Sequence, residues 1–221
     1  KLMMGLIRPE SGQVLLNGRA AADLPKEELG RTISMVYQNP EEMFIKDSIR
    51  KDIEYAMMVR KVEDYQKRTD ELLEMFRLTD LQDRDGRLLS GGQMRRASLA
   101  IGIALQPEIL LLDEPTANLD IATRREIMKT LQMLKGITDT VVIATHDMQL
   151  VCDWAERLIV LSAGYVIADG TKEEIFADMY VRQQVGIRPP QICDMGRALG
   201  IENPCFTIDE FMEYFRGEKY A

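Results

Sequence analysis

An α/β fold is predicted by three features of the sequence. Short apolar, β-like runs alternate with stretches of helical periodicity. The run Ile109-Leu110-Leu111-Leu112 shows no polar alternation, the pattern of a parallel strand covered on both faces. The 221 residues are 46% hydrophobic and 29% charged, a composition that folds around a core rather than staying disordered. That length suits one large domain or a domain with an appendage.

Taken in chain order, strands are predicted at Val14–Leu16, Thr32–Tyr37, Ile109–Asp113, Val141–Thr145, Leu158–Leu161 and Val166–Ala168. Between Pro40 and Leu105 the character is helical, with Val62, Tyr65, Leu72, Leu73 and Phe76 falling roughly on one face among many charges. Ser90-Gly91-Gly92 opens an apolar helix that Pro107 closes, and Asp120 begins a helical stretch Ile121–Leu134. Beyond Gly170, Thr171-x-x-Glu174 and Thr207-x-x-Glu210 are capping-box patterns. Pro190 and Gly200 bracket a further short helix, so this last segment is expected to be a helical appendage.

Lys plus Arg number 28 against 36 Asp plus Glu, a net charge of −8. This balance gives no broad electrostatic case for gripping nucleic acid, so no nucleic-acid partner is expected. It leaves room for a small positive cluster around one nucleotide. Cys152, Cys193 and Cys205 are odd in number and without a Cys-x-x-Cys pair, which argues against a disulfide framework or zinc ribbon and for a reducing compartment. The longest tempting uncharged stretch, Ala97–Pro107, falls well short of the ~20 apolar residues that span a bilayer.

Several short patterns carry chemistry. The strand Ile109–Leu112 ends in Asp113-Glu114, at the place where α/β sheets bind ligands. A carboxylate there suits Mg²⁺ and its neighbour suits a general base, although an acidic turn would look the same. Leu89-Ser90-Gly91-Gly92-Gln93 sets backbone N–H groups and a hydroxyl at a helix start, an anion site as well as an N-cap. His146, the only histidine, follows an apolar strand and suits either a phosphate contact or a structural turn. Gln38, before Asn39-Pro40, would orient water or complete a magnesium shell, or simply polarise a turn. Asp120 is a natural N-cap, which does not exclude a second role.

In combination these patterns resemble one family. Gln38, Leu89–Gln93, Ile109–Pro115, Asn118–Asp120 and His146 occur in the order and spacing of an ATP-binding cassette ATPase: Q-loop, signature motif, Walker B motif, D-loop and switch histidine. The resemblance covers residues 1–170, with a helical subdomain at about 41–105, and leaves 171–221 as a C-terminal helical extension. It implies a P-loop NTPase fold with a RecA-like core. Tyr37-Gln38-Asn39-Pro40-Glu41-Glu42 is similar to the Q-loop of energy-coupling-factor importers and their cobalt and nickel relatives. Arg188-Pro189-Pro190-Gln191 followed by Leu199-Gly200 is similar to their C-terminal extension.

The resemblance implies ATP and Mg²⁺ as cofactors, and two cassettes closing head to tail around two ATP molecules. Asp113 would hold Mg²⁺, Glu114 would be the general base and His146 would contact the γ-phosphate. Gln38 would sense Mg²⁺ or water. Ser90, Gly91, Gly92 and Gln93 would contact ATP held by the opposite subunit, and Asp120 would communicate across the dimer. Further implied partners are a transmembrane coupling component and a substrate-binding membrane component, at the cytoplasmic face of the membrane. The acidic Glu41, Glu42 and Asp47, with Met43, Phe44 and Ile45 as an apolar seat, would receive a basic helix of the membrane component.

The phosphate-cradling G-x-x-x-x-G-K-[ST] motif does not occur in these residues. Family spacing places it just before Lys1, so the chain is expected to start inside the following helix as a piece of a longer cassette. By itself it is expected not to hydrolyse ATP. Two other expectations remain open from sequence: a non-transport cassette, and a noncatalytic cassette that lends its signature motif to a partner.

Overall fold

The computed structural model describes residues 1–201 and 203–217. The chain forms two compact units, Lys1–Ala144 and Thr145–Ala221.

The first unit opens without regular structure. Residues 1–14 form turns and bends, not the expected helix. Gly5 lies at φ 63° with its N–H bonded to the Leu2 carbonyl, and Pro9 follows. The left-handed backbone at Gly5 and the missing N–H of Pro9 both interrupt a helical hydrogen-bond ladder there. Leu15–Leu16 (β1) and Arg19–Ala20 (β2) then pair antiparallel. Asn17 and Gly18 join them with φ 50° and 77°, the backbone that a two-residue hairpin requires. The second of these strands was not expected from hydropathy, although Asn-Gly is its turn signal.

Helix α1 (Lys26–Thr32) leads into β3 (Ile33–Val36). Three longer helices follow: α2 (Ile49–Val59), α3 (Tyr65–Met75) and α4 (Gly91–Ile103). The apolar face predicted across Val62–Phe76 belongs to α3, where Leu72, Leu73 and Phe76 are buried. Val62 precedes it in a turn, because Asp64 takes a left-handed backbone (φ 51°) and separates the two helices. The opposing stripe of α2 is Ile49, Ile53 and Met57, all fully buried at helical spacing.

Strand β4 (Ile109–Asp113), helix α5 (Ile121–Leu134) and strand β5 (Thr140–Ala144) complete this unit. The sheet is parallel in the order β3-β4-β5. Register places Val36 beside Leu112, and Leu112 and Asp113 beside Ile143 and Ala144. Leu110, Leu111 and Leu112 are all buried, as the unbroken apolar run required.

The second unit begins with α6 (Met148–Trp154). The antiparallel pair β6 (Leu158–Ser162) and β7 (Tyr165–Gly170) follows, clasped by Arg157 donating to both Asp169 oxygens at 2.7 and 2.6 Å. Helices α7 (Lys172–Ala177), α8 (Met179–Val185), α9 (Gln191–Ala198) and α10 (Ile208–Gly217) follow. Both capping boxes form: Thr171 with Glu174, and Thr207 with Glu210. Cys152, Cys193 and Phe206 pack together with Phe176, and all three cysteines of the chain are free and buried. Burial pushes the Cys152 thiol up to about 12 and Cys193 to about 11, so these thiols are packing groups rather than nucleophiles. Among the described residues no helix is long and apolar enough to cross a membrane.

Candidate nucleotide site

Parallel strands deliver their chemistry at their C-terminal ends, where loops leave the sheet and no side chain need fill the core. Here β3, β4 and β5 end level with one another. The first exit carries Tyr37-Gln38, the second Asp113-Glu114, and the third leads by sequence to Thr145-His146. Gln38 is exposed, and Asp113 and Glu114 are half-buried. Neighbouring strands lie about 5 Å apart, so Gln38 and Asp113 leave adjacent strand tips.

Glu114 has φ 44°, a left-handed backbone that a non-glycine residue adopts only when its surroundings impose it. Its N–H donates to the Ala144 carbonyl at 2.9 Å, and its carbonyl accepts from Ala117 N–H at 3.1 Å. Pro115 and Thr116 are buried beneath it. The turn is therefore pinned to β5 on one side and closed on itself on the other, which fixes where the carboxylate emerges.

The signature segment is built differently. Gln93 Oε1 accepts the Ser90 N–H at 3.1 Å, so the side chain of the motif's last residue holds its own helix start. Ser90 and Gly91 are exposed. A Cβ on Gly91 would meet nothing within 4 Å among the described residues, whereas one on Gly92 would lie 2.5 Å from Thr123 Cγ2. Thr123 in turn donates its hydroxyl to Asp120 Oδ2 at 2.6 Å. Asp120 Oδ1 accepts the N–H groups of Ala122 and Thr123 at 2.9 and 3.0 Å, capping α5. These bonds, the Thr123 hydroxyl first, hold the Asp120 carboxyl below its ordinary pKa. The structure thus joins the predicted signature and D-loop residues through Thr123, which the sequence did not single out.

Gln38 is also held, by a residue the sequence did not flag. Arg95, on α4 and only 3% exposed, donates to the Tyr37 carbonyl at 2.9 Å and to the Gln38 carbonyl at 2.7 Å. Farther along the same segment, Asp52 accepts the N–H groups of Ile45 and Lys46 at 2.9 and 2.8 Å. Burial, the largest influence, raises the Asp52 pKa. The proposed apolar seat needs one correction. Phe44 is buried at 4% exposure with its ring against Gly86, so of the three apolar residues Ile45, at 60%, is the outward one. Glu41, Glu42 and Asp47 are exposed.

His146 belongs to the second unit. It is exposed between Thr145, whose hydroxyl accepts the Asp147 N–H at 3.0 Å, and Asp147, whose carboxylate caps α6 through the Gln149 and Leu150 N–H groups. The imidazole is thus presented on a turn braced from both sides.

The donors at the β3 and β4 tips are an amide oxygen and carboxylate oxygens, a hard set that fits Mg²⁺ held jointly with substrate phosphates. The exposed amides at the start of α4, an element of 13 residues, fit a phosphate.

Comparison with known proteins agrees with this geometry. The ABC transporter family model matches residues 1–117. The cobalt import ATP-binding protein CbiO of Rhodobacter capsulatus is 32% identical over 204 residues, covering 90% of this chain and 73% of that protein. The energy-coupling factor transporter ATP-binding protein EcfA2 of Clostridium perfringens is 33% identical over 221 residues, covering 95% of this chain and 78% of that one. The solved structure of cbiO1 from Clostridium perfringens, described as part of the ABC transporter complex cbiONQ, matches with a TM-score of 0.71 at 31% identity. It covers 90% of this chain and 80% of its own. By its family match and its relatives, the chain belongs to the ABC transporter ATPases, in the branch of energy-coupling-factor and cobalt-import ATP-binding proteins.

Proposed function

We propose that this chain belongs to the ATP-hydrolysing subunit of a membrane importer of energy-coupling-factor type, moving a vitamin or a transition-metal ion, and that hydrolysis requires the phosphate-cradling motif which these 221 residues do not contain. The observation that carries the proposal is Asp113-Glu114 at the tip of the central, fully covered strand β4, with Glu114 held at φ 44° by the Ala144 carbonyl. Phosphoryl transfer asks for positioning and charge neutralisation more than for covalent chemistry, and a fixed strand tip supplies the first.

In this proposal the cassette proper is residues 1–170 and the extension 171–221. Asp113 and Gln38 would hold Mg²⁺, which when bound would offset charge on the phosphates. Glu114 accepts the proton of the attacking water, and His146 donates to the γ-phosphate oxygen. Ser90, Gly91, Gly92 and Gln93 present the α4 amides to ATP on a second ATPase subunit. Asp120, tied to Gly92 through Thr123, reports that contact across the dimer. Loss of the γ-phosphate removes the contact at α4, so hydrolysis shifts the dimer toward its open state. The transmembrane coupling component docks on the edge of Glu41, Glu42, Ile45 and Asp47, at the cytoplasmic face of the membrane. The substrate is selected by the substrate-binding membrane component.

Glu114→Gln is the test. In the assembled ATPase it is expected to lower kcat by a factor of about 10²–10⁴, the usual worth of a general base. ATP affinity should stay within about threefold, because the amide keeps size and shape. Turnover retained at the wild-type level would remove Glu114 from this role.

A further inference from the structure

A guanidinium that is 3% exposed is costly to desolvate unless its N–H groups find strong acceptors. Arg95 donates to two consecutive backbone carbonyls, Tyr37 at 2.9 Å and Gln38 at 2.7 Å. Its Nε is buried without a partner among the described residues, so these two bonds are what hold it. Successive carbonyls of an extended strand point to opposite sides. One fork can reach both only if the chain turns there, just past the end of β3 at Val36. The fork geometry thus selects the backbone conformation from which the Gln38 side chain departs.

The location of Arg95 matters as much as its bonds. It lies on the second turn of α4, whose first turn carries Ser90, Gly91, Gly92 and Gln93. A helix is stiff over two turns, so a displacement of its start carries Arg95 with it. We propose that Arg95 is the positioning residue that sets Gln38, by locking the Tyr37-Gln38 peptide groups to the signature helix. The proposal rests on the functional reading above, in which Gln38 serves the nucleotide on its own subunit while α4 serves the nucleotide on the other. Arg95 then makes the two sites move together. Lys cannot replace it fully, since an ammonium is a point donor and not a planar fork.

A double-mutant cycle on the assembled ATPase tests this: wild type, Arg95→Gln, Gln38→Ala and the pair. Arg95→Gln alone is expected to lower kcat about 10- to 100-fold, the range set by ångström-scale misplacement of a catalytic group. Its KM for ATP should change little. In the Gln38→Ala background, Arg95→Gln should have almost no further effect on kcat, because the group it positions is gone. Arg95→Lys should recover part of the loss. Equal losses in both backgrounds would overturn the proposal, since a structural role does not need Gln38. An inert Gln38→Ala would overturn it as well. Absence of turnover in the wild-type assembly would instead refute the ATPase reading, so the two failures are distinct. Hydrogen exchange covers the case in which Arg95→Gln perturbs folding. Exchange should accelerate over residues 37–46 while α4 and β4 keep their protection, and loss of protection throughout Lys1–Ala144 would count against a local clamp.

Discussion

Two adjacent glycines separate folding from function. Both belong to the signature motif, yet their surroundings differ. A methyl on Gly92 would press on Thr123 at 2.5 Å, and Thr123 cannot rotate away without breaking its hydroxyl bond to Asp120. Gly92→Ala is therefore expected to destabilise the chain by about 1–3 kcal/mol, as overpacking does, read as a lower Tm. A methyl on Gly91 meets nothing within 4 Å among the described residues. Gly91→Ala should leave Tm unchanged or slightly raised, because Ala favours helix over Gly, while weakening ATP-dependent association with the second subunit. Thermal unfolding and sedimentation of the two variants decide the point. A Tm drop for Gly91→Ala as large as for Gly92→Ala would show that both glycines are structural. The sequence showed that two glycines stand at a helix start. It could not show which one another molecule needs, because that depends on Thr123, 31 residues away in the chain for Gly92 and absent from any local pattern.

The segment from Tyr37 to Lys46 is held at both ends by buried charges of opposite sign. Arg95 takes its carbonyls and Asp52 takes its N–H groups. Neither was legible in the sequence. Arg95 stands in Gln93-Met94-Arg95-Arg96 and looks like part of a solvated helix face. Asp52 looks like an ordinary acidic residue in the first turn of α2. Only the packing of α2 and α4 against this segment turns them inward. Gln38 itself was legible, because its order relative to the other motifs is a sequence property. Phe44 was misplaced, since an apolar triplet in a loop gives no sign of which member faces in.

Asp52 offers a pH test of this anchoring. Burial raises its pKa, and nearby Asp85 adds to the rise. The Ile45 and Lys46 N–H groups oppose it, as does Arg87 more weakly. The folded state therefore binds the proton more tightly than the unfolded state. Stability contributed by Asp52 is greatest below the ordinary carboxylate pKa near 4, and is lost as pH rises toward the raised folded value. Asp52→Asn keeps an oxygen acceptor for the two N–H groups and carries no charge. Its stability relative to wild type should rise across that window, as measured by denaturant unfolding at a series of pH values. A constant difference between the two proteins would mean that Asp52 does not titrate as its burial demands.

Over the length of the chain, the strands were the most legible feature. Unbroken or alternating apolar runs predict β3 to β7 to within a residue or two, and Asp120 to Leu134 marks α5 at both ends. The β1–β2 hairpin was only half seen, because two-residue strands carry no periodicity and only Asn17-Gly18 announces them. The expected helix at the start was absent, where Gly5 takes a left-handed backbone. The candidate site was legible as an ordered set of motifs. How Arg95, Asp52 and Thr123 hold those motifs was not, since each contact joins segments far apart in sequence.

The most direct measurement asks whether the exposed start of α4 recognises a triphosphate held by another subunit. The 221-residue chain would be mixed with an ATPase subunit that carries G-x-x-x-x-G-K-[ST] and a Glu→Gln change at its own base position, and its association followed by sedimentation. Association in ATP, its loss in ADP, and its loss in ATP on Ser90→Arg are the predicted results. Association that ignores the γ-phosphate, or that survives Ser90→Arg, would contradict the account.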